Sequence, residues 1–136
     1  MSKAYPKISK YMTLVPKAIN AECTLVEAMD FMQDKKIRHL PVIKAGKVYG
    51  IISDRDLKSI FAFAGTNPKA LTVGEVCSDN VYTTKPDAPI NEVAAEMASQ
   101  KLGSALVMDN GHLVGIFTAT DVCFALKDIC ETRFHA

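Results

Sequence analysis

What this chain lacks narrows its function before any motif is read. Its formal net charge is +1, so it has no broad basic footprint for nucleic acid. No apolar run reaches the length needed to cross a bilayer. Met1–Pro6 lack the apolar core of a signal peptide, and the expected setting is cytoplasmic, without a membrane partner. None of the four cysteines (Cys23, Cys77, Cys123, Cys130) forms C-x-x-C, and His39, His112 and His135 are scattered. A zinc spacing is therefore missing, and buried, reduced thiols acting as small hydrophobes are expected. Cys123 and Cys130 lie seven apart, a spacing that can share a helix face. There is no Walker loop, no H-E-x-x-H and no recognised nucleophile motif. The expectation is a protein that is not an enzyme and requires no cofactor.

What is present is a repeat. Gly50-Ile51-Ile52-Ser53-Asp54-Arg55-Asp56 returns 65 residues later as Gly115-Ile116-Phe117-Thr118-Ala119-Thr120-Asp121. The same offset pairs Glu27 with Glu92, Met32 with Met97, Lys36 with Lys101, Val42 with Val107 and Gly46 with Gly111, without a gap. An internal repeat sets the architecture. Two similar units imply a pseudo-two-fold with a cleft between them. Each half, at about 60 residues, would be marginal alone. The halves are thus expected to pack together, as repeat one (8–63), a linker (64–72) and repeat two (73–129).

Each repeat reads strand, helix, strand, strand, helix, an α+β pattern. Lys17–Asn20 is the first short strand. Thr24-Leu25-Val26-Glu27 has capping-box form, and Leu25, Ala28, Met29 and Met32 follow at helical spacing. Strands are expected at His39–Lys44 and Val48–Ser53, joined at Ala45-Gly46. Their counterparts, Ala105–Asp109 and His112–Thr118, are joined at Asn110-Gly111, a strong hairpin signal. Closing helices run from Asp54 to about Phe63 and from Ala119 to about Ile129. Thr72-Val73-Gly74-Glu75 predicts another capping box, opening a short helix whose counterpart lies near Ile8–Met12. Pro89 stands where repeat one has Thr24, so that helix is expected to lack a side-chain cap.

The repeated Gly-x-x-Ser/Thr-x-x-Asp segment supports two readings. Ser53 with Asp56, and Thr118 with Asp121, fit a plain helix cap. A helix N-terminus also attracts phosphate, and an adjacent carboxylate can accept ribose hydroxyls, as in other nucleotide folds. Gly50 and Gly115 would admit a ligand or a neighbouring strand close to the backbone.

These segments, with Arg38-His39-Leu40-Pro41-Val42 and Ser104-Ala105-Leu106-Val107-Met108, resemble a pair of cystathionine-β-synthase (CBS) domains, a Bateman module. The likeness covers about Ile8–Leu126; its departure is Leu106 where repeat one has Pro41. The resemblance implies a regulatory module that binds an adenosine-containing ligand (AMP, ADP, ATP or S-adenosylmethionine) in the cleft and signals to an unknown protein effector. The alternative is a scaffold that keeps the fold without a ligand. By this likeness Asp56 and Asp121 hold ribose, and Ser53 and Thr118 contact ribose or phosphate. Ala18, Ile19, Thr83 and Thr84 border the base.

Arg38, His39, Arg55 and Lys58 become Gly103, Ser104, Thr120 and Cys123 in repeat two. Arg55 and Thr120 are therefore counted with the site residues. The expectation is that Arg38 and His39 reach across to the phosphate of a nucleotide held by Asp121 and Thr118, the Asp56 site being the weaker. The other reading of Lys35, Lys36, Arg38 and His39 is a solvated helix end. The closing helices are apolar: Leu57, Ile60, Phe61 and Phe63 in one, Val122, Ala125, Leu126 and Ile129 sharing a face in the other, with Phe124 off that face. A homodimer through these helices is expected.

Overall fold

The computed structural model describes residues 4–14, 17–63, 65 and 67–134. Ala64 and Thr66 of the expected linker, the N-terminal Met1–Lys3 and His135 lie outside the described residues. The described elements are a 3₁₀ turn (Ile8–Lys10), β1 (Thr13–Leu14), β2 (Ile19–Asn20), α1 (Leu25–Lys35), β3 (His39–Lys44), β4 (Lys47–Ser53), α2 (Asp54–Phe61), α3 (Val73–Val76), β5 (Thr83–Thr84), α4 (Ile90–Gln100), β6 (Ser104–Asp109), β7 (His112–Thr118) and α5 (Ala119–Arg133). The fold is mixed α+β with two sheets, and β-α-β-β-α occurs twice, as the repeat requires. The first strand is shorter than its sequence span, two residues at Ile19–Asn20. The last helix is longer, reaching Arg133.

The chain forms two compact units, residues 17–81 and residues 1–16 with 82–136. In the 17–81 unit the sheet order is β2-β3-β4, with β2 parallel to β3 and β3 antiparallel to β4. In the other it is β1-β7-β6-β5. The short segment before each repeat packs into the unit that does not follow it directly. Ile8 belongs to the core of Ile90, Val93, Met97, Ala105, Val107, Phe117 and Ala125. Val73 belongs to the core of Ile19, Leu25, Ala28, Met32, Leu40, Val42, Ile52 and Leu57.

These pairings obey the 65-residue offset. Thr13 lies opposite Ile116 in β7, and Ser78 bridges Ile51 in β4. Lys7 bridges Pro89, and Thr72 bridges Thr24. In both sheets the register shifts at the same repeat position, between Val42 and Ile43 and between Val107 and Met108.

Sequence details explain where the repeats agree and differ. Ala45 and Asn110 both take positive φ (52° and 51°), followed by Gly46 and Gly111 at 77°; two consecutive left-handed residues make the tight hairpin turn. Lys36 and Lys101 end α1 and α4 in the left-handed region. Thr24 caps α1 by accepting from the Glu27 N–H at 3.1 Å, whereas Pro89 provides no side-chain cap. The box expected at Thr72 does not form; α3 has no side-chain cap hydrogen bond. Val73 N–H donates to the Cys23 carbonyl and Gly74 N–H to the Ala21 carbonyl, while the Glu75 N–H that a box would use donates to the Thr72 carbonyl at 3.1 Å, so backbone oxygens take all three donors. At the Pro41/Leu106 departure, Leu106 N–H donates to the Tyr82 carbonyl at 2.9 Å; Pro41 has no N–H for the equivalent bond.

Burial also corrects two sequence expectations. Cys123 and Cys130 are exposed, while Cys23 and Cys77 are half-buried. Leu126 is 63% exposed, off the face where Ala125 is buried, because one residue on a helix turns by about 100°. Phe63 and Phe124 are exposed as well.

The two repeat glycines are filled by neighbouring chain. A Cβ on Gly50 would lie 2.6 Å from the Ser78 carbonyl oxygen and 2.7 Å from Cys77 Sγ. On Gly115 it would meet Met12 Sδ at 2.6 Å and the Thr13 carbonyl oxygen at 3.1 Å. The Met12 thioether can turn away; a backbone carbonyl cannot. Gly50→Ala is expected to lower unfolding free energy by about 1–3 kcal/mol, and Gly115→Ala by less. Urea denaturation of both variants checks the order.

Candidate functional site

Each repeat ends a strand and opens a helix at the same four residues. In the 17–81 unit Ser53 is the N-cap of α2. Its hydroxyl accepts from the Asp56 N–H at 3.1 Å, and its own N–H donates to Asp56 Oδ2 at 3.2 Å. In the other unit Thr118 caps α5: Thr118 N–H donates to Asp121 Oδ2 at 2.9 Å, and Asp121 N–H donates to Thr118 Oγ1 at 3.4 Å. The Thr118 hydroxyl also donates to Asp121 Oδ2 at 3.2 Å. Both are complete reciprocal capping boxes, formed because a short hydroxyl at the N-cap and an acid three residues on satisfy two free helix donors.

One oxygen of each carboxylate performs this task. Among the described residues, Oδ1 of Asp56 and of Asp121 has no hydrogen-bond partner. Asp56 is exposed and Asp121 half-buried. A carboxylate held in place at a helix mouth, with a free acceptor oxygen, suits a ligand that donates hydroxyl hydrogens. The neighbouring N-terminal N–H groups favour negative charge.

The remaining candidates distribute as follows. His39 lies opposite Ser53 in the β3–β4 ladder, and the Arg38 carbonyl accepts from Asp54 N–H at 2.8 Å. Arg38 and His39 therefore sit beside the Ser53–Asp56 mouth of their own unit. Arg55 is exposed on α2. Ala18 is half-buried, and Ile19, 7% exposed, turns its side chain into the core and has only its main chain to offer. In the other unit Thr83 is exposed and Thr84 half-buried, paired with Leu106 and Val107. Thr118 and Asp121 meet directly; Thr120 is exposed on the first turn of α5.

Burial pushes the His39 imidazole below its ordinary value of 6.5; Asp56 pulls it up, Arg38 pushes it further down and Asp54 pulls it up. His39 is thus neutral at pH 7 and offers a hydrogen-bonding nitrogen, not a charge, which its residue type alone does not reveal. Burial also raises the Cys23 and Cys77 thiols, keeping them protonated and poorly nucleophilic. The Tyr11 hydroxyl donates to Asp128 Oδ2 at 2.5 Å and ties the N-terminal segment to α5; the 117-residue separation left no local signal for that contact.

A capped helix mouth built twice, each time closing a β-α-β-β-α repeat, defines a tandem-repeat module. The chain belongs to the CBS domain family: the family profile matches residues 8–62 and again 73–128. Hypoxic response protein 1 of Mycobacterium tuberculosis is 29% identical over 112 residues, 82% of this chain and 78% of that protein. The inosine-5′-monophosphate dehydrogenase of Nitrosopumilus maritimus is 29% identical over 109 residues, but the chain spans only 21% of that enzyme. Among solved structures, an acetoin utilization protein (AcuB) from Vibrio cholerae superposes with a TM-score of 0.80 at 29% identity, covering 96% of this chain and 99% of that one. The CBS domain pair of protein MJ0100, in complex with 5′-methylthioadenosine and S-adenosyl-L-methionine, has a TM-score of 0.81 at 26% identity, covering 91% and 98%. CBS pairs are regulatory modules, and no helix among the described residues is long and apolar enough to cross a membrane.

Because the folded-state pKa of His39 is depressed, its contribution to stability is complete above 6.5. It is lost as pH falls below that value, where the unfolded chain takes up the proton first. The stability difference between wild type and His39→Gln is expected to shift against wild type between pH 7.5 and 5.5, as read by urea denaturation at both pH values.

Proposed function

We propose that this protein is a non-catalytic regulatory module that binds an adenosine-containing ligand, AMP, ADP or ATP in the first place, and passes its occupancy to a protein partner. The observation that carries this reading is the split role of Asp56 and Asp121. One oxygen fixes the helix mouth; the other is left to accept from ribose. The adenosine compounds held by the CBS pair of MJ0100 support the choice of ligand class. Thr118, Thr120, Thr83 and Thr84 supply further polar contacts in one unit, and Ser53, Arg55, Ala18 and Ile19 in the other, with Arg38 and His39 directed to phosphate.

A second reading, a ligand-free scaffold, is favoured by the capping itself, since both carboxylates already have a structural task. The two readings separate in one titration. Asp56→Asn with Asp121→Asn keeps an acceptor for the cap and removes the charge. Isothermal titration of wild type against AMP, ADP, ATP and S-adenosylmethionine is expected to show binding that the double variant weakens by about 1.5–3 kcal/mol. Absence of binding to wild type, or equal affinity in both, supports the scaffold.

The exposed apolar side chains Phe63, Phe124, Leu126 and Phe134, at and beyond the ends of α2 and along α5, support a homodimer through the closing helices. Light scattering at micromolar protein is expected to give twice the chain mass, and Phe124→Glu to shift it toward monomer. A monomeric wild type contradicts this.

A further inference from the structure

One polar feature extends beyond the nucleotide reading, which takes only Arg38 from it. At the end of α1 and the start of α2, a depression of about 330 Å³ is lined by Met32, Lys36, Ile37, Arg38, Asp54 and Lys58. Met32 is 2% exposed, and with Ile37 it forms an apolar floor. Lys58 Nζ pairs with Asp54 Oδ2 at 3.1 Å, one helical turn away, which draws the ammonium to the rim. Arg38 and Lys36 form no ion pair among the described residues. Three cations and one carboxylate leave a local charge of about +2, the complement of a phosphoryl group at neutral pH, which carries roughly −1.5 to −2.

Repeat two serves as an internal control. Met32, Lys36 and Ile37 correspond to Met97, Lys101 and Leu102, so the floor and the left-handed lysine are kept. Arg38, Asp54 and Lys58 correspond to Gly103, Ala119 and Cys123. The same helix–strand–helix joint folds without them, so the polar rim is not a requirement of the fold.

The depression is also separate from the ribose carboxylate. Asp54 and Lys58 share one side of α2, and Asp56, two residues on from Asp54, is turned by about 200°. Asp56 points back to the Ser53 N–H, on the opposite flank.

We propose that this depression is a second ligand site, specific to the first repeat, for a small phosphorylated compound whose phosphoryl group is held by Lys36, Arg38 and Lys58 and whose body rests on Met32 and Ile37. The Arg38 fork gives the bidentate grip that phosphate favours, and the Lys58–Asp54 pair opens to admit it.

The test is amide NMR titration of the whole chain with inorganic phosphate and with phenyl phosphate. Both probes are expected to shift the amides of Lys36, Ile37, Asp54 and Lys58. Lys36→Gln with Lys58→Gln, two exposed positions, is expected to weaken binding by about tenfold, whereas Asp56→Asn with Asp121→Asn leaves it unchanged. Tighter binding of phenyl phosphate supports a phosphomonoester whose body rests on Met32 and Ile37; equal binding overturns that contact. The proposal is overturned if neither probe moves those amides, or if the aspartate variant abolishes the response, which would place the anion at the helix mouths. Because that pair leaves the lysines intact, failure here and failure of the nucleotide reading are told apart.

Discussion

The capping box at each strand-to-helix junction is the interaction on which the rest depends. A helix cannot start without partners for its first N–H groups, and here a hydroxyl and a carboxylate supply them in both repeats. This fixes where β4 and β7 end and in which direction α2 and α5 leave the sheet. It also immobilises the Asp56 and Asp121 side chains before any ligand arrives. A binding group held by its own backbone loses little conformational freedom on binding. Structural cap and candidate ribose acceptor are thus two oxygens of one side chain.

The close approach at Gly50 and Gly115 is the second constraint. Each glycine lets a segment of chain from elsewhere in the sequence lie against the strand that leads to the cap. The segment around Ser78 lies against β4, and β1 lies against β7. The junctions are buttressed by chain that is distant from them in sequence, and the 65-residue offset governs these buttresses as faithfully as it governs the motifs.

Much of this was legible in the sequence for a physical reason. The repeat copies local determinants, namely helix stripes, the Ala45-Gly46 and Asn110-Gly111 turns and the Ser/Thr-x-x-Asp caps. These act over four or five residues, so they can be read without the fold. The uncapped start of α4 followed from Pro89 for the same reason. What escaped was non-local. Thr72 has the sequence form of a cap, but the carbonyls of Cys23, Ala21 and Thr72 itself take the first N–H groups of α3. The β1 strand exists only because β7 offers an edge, and two residues carry no periodicity. Helical spacing puts Leu126 on one face with Ala125, but such spacing constrains a face only to within one residue. At the candidate site, the residue types named the helix mouths, but the neutrality of His39 depends on burial, which sequence does not contain.

The repeats share a frame and differ in charge. Arg38, Asp54, Arg55 and Lys58 in the first become Gly103, Ala119, Thr120 and Cys123 in the second, while the Ser/Thr-x-x-Asp junction is retained in both. On the proposed reading the two mouths take the same sugar and distinguish ligands by their anionic groups. The central claim is that the free oxygen of these carboxylates accepts from ribose, and a crystal structure grown with AMP and ATP tests it most directly. The account predicts ribose hydroxyls within about 3 Å of Oδ1 of Asp121 or Asp56, with the Thr118 or Ser53 N–H still bound to Oδ2. Nucleotide seated away from both carboxylates, or both mouths vacant at saturating nucleotide, would contradict it.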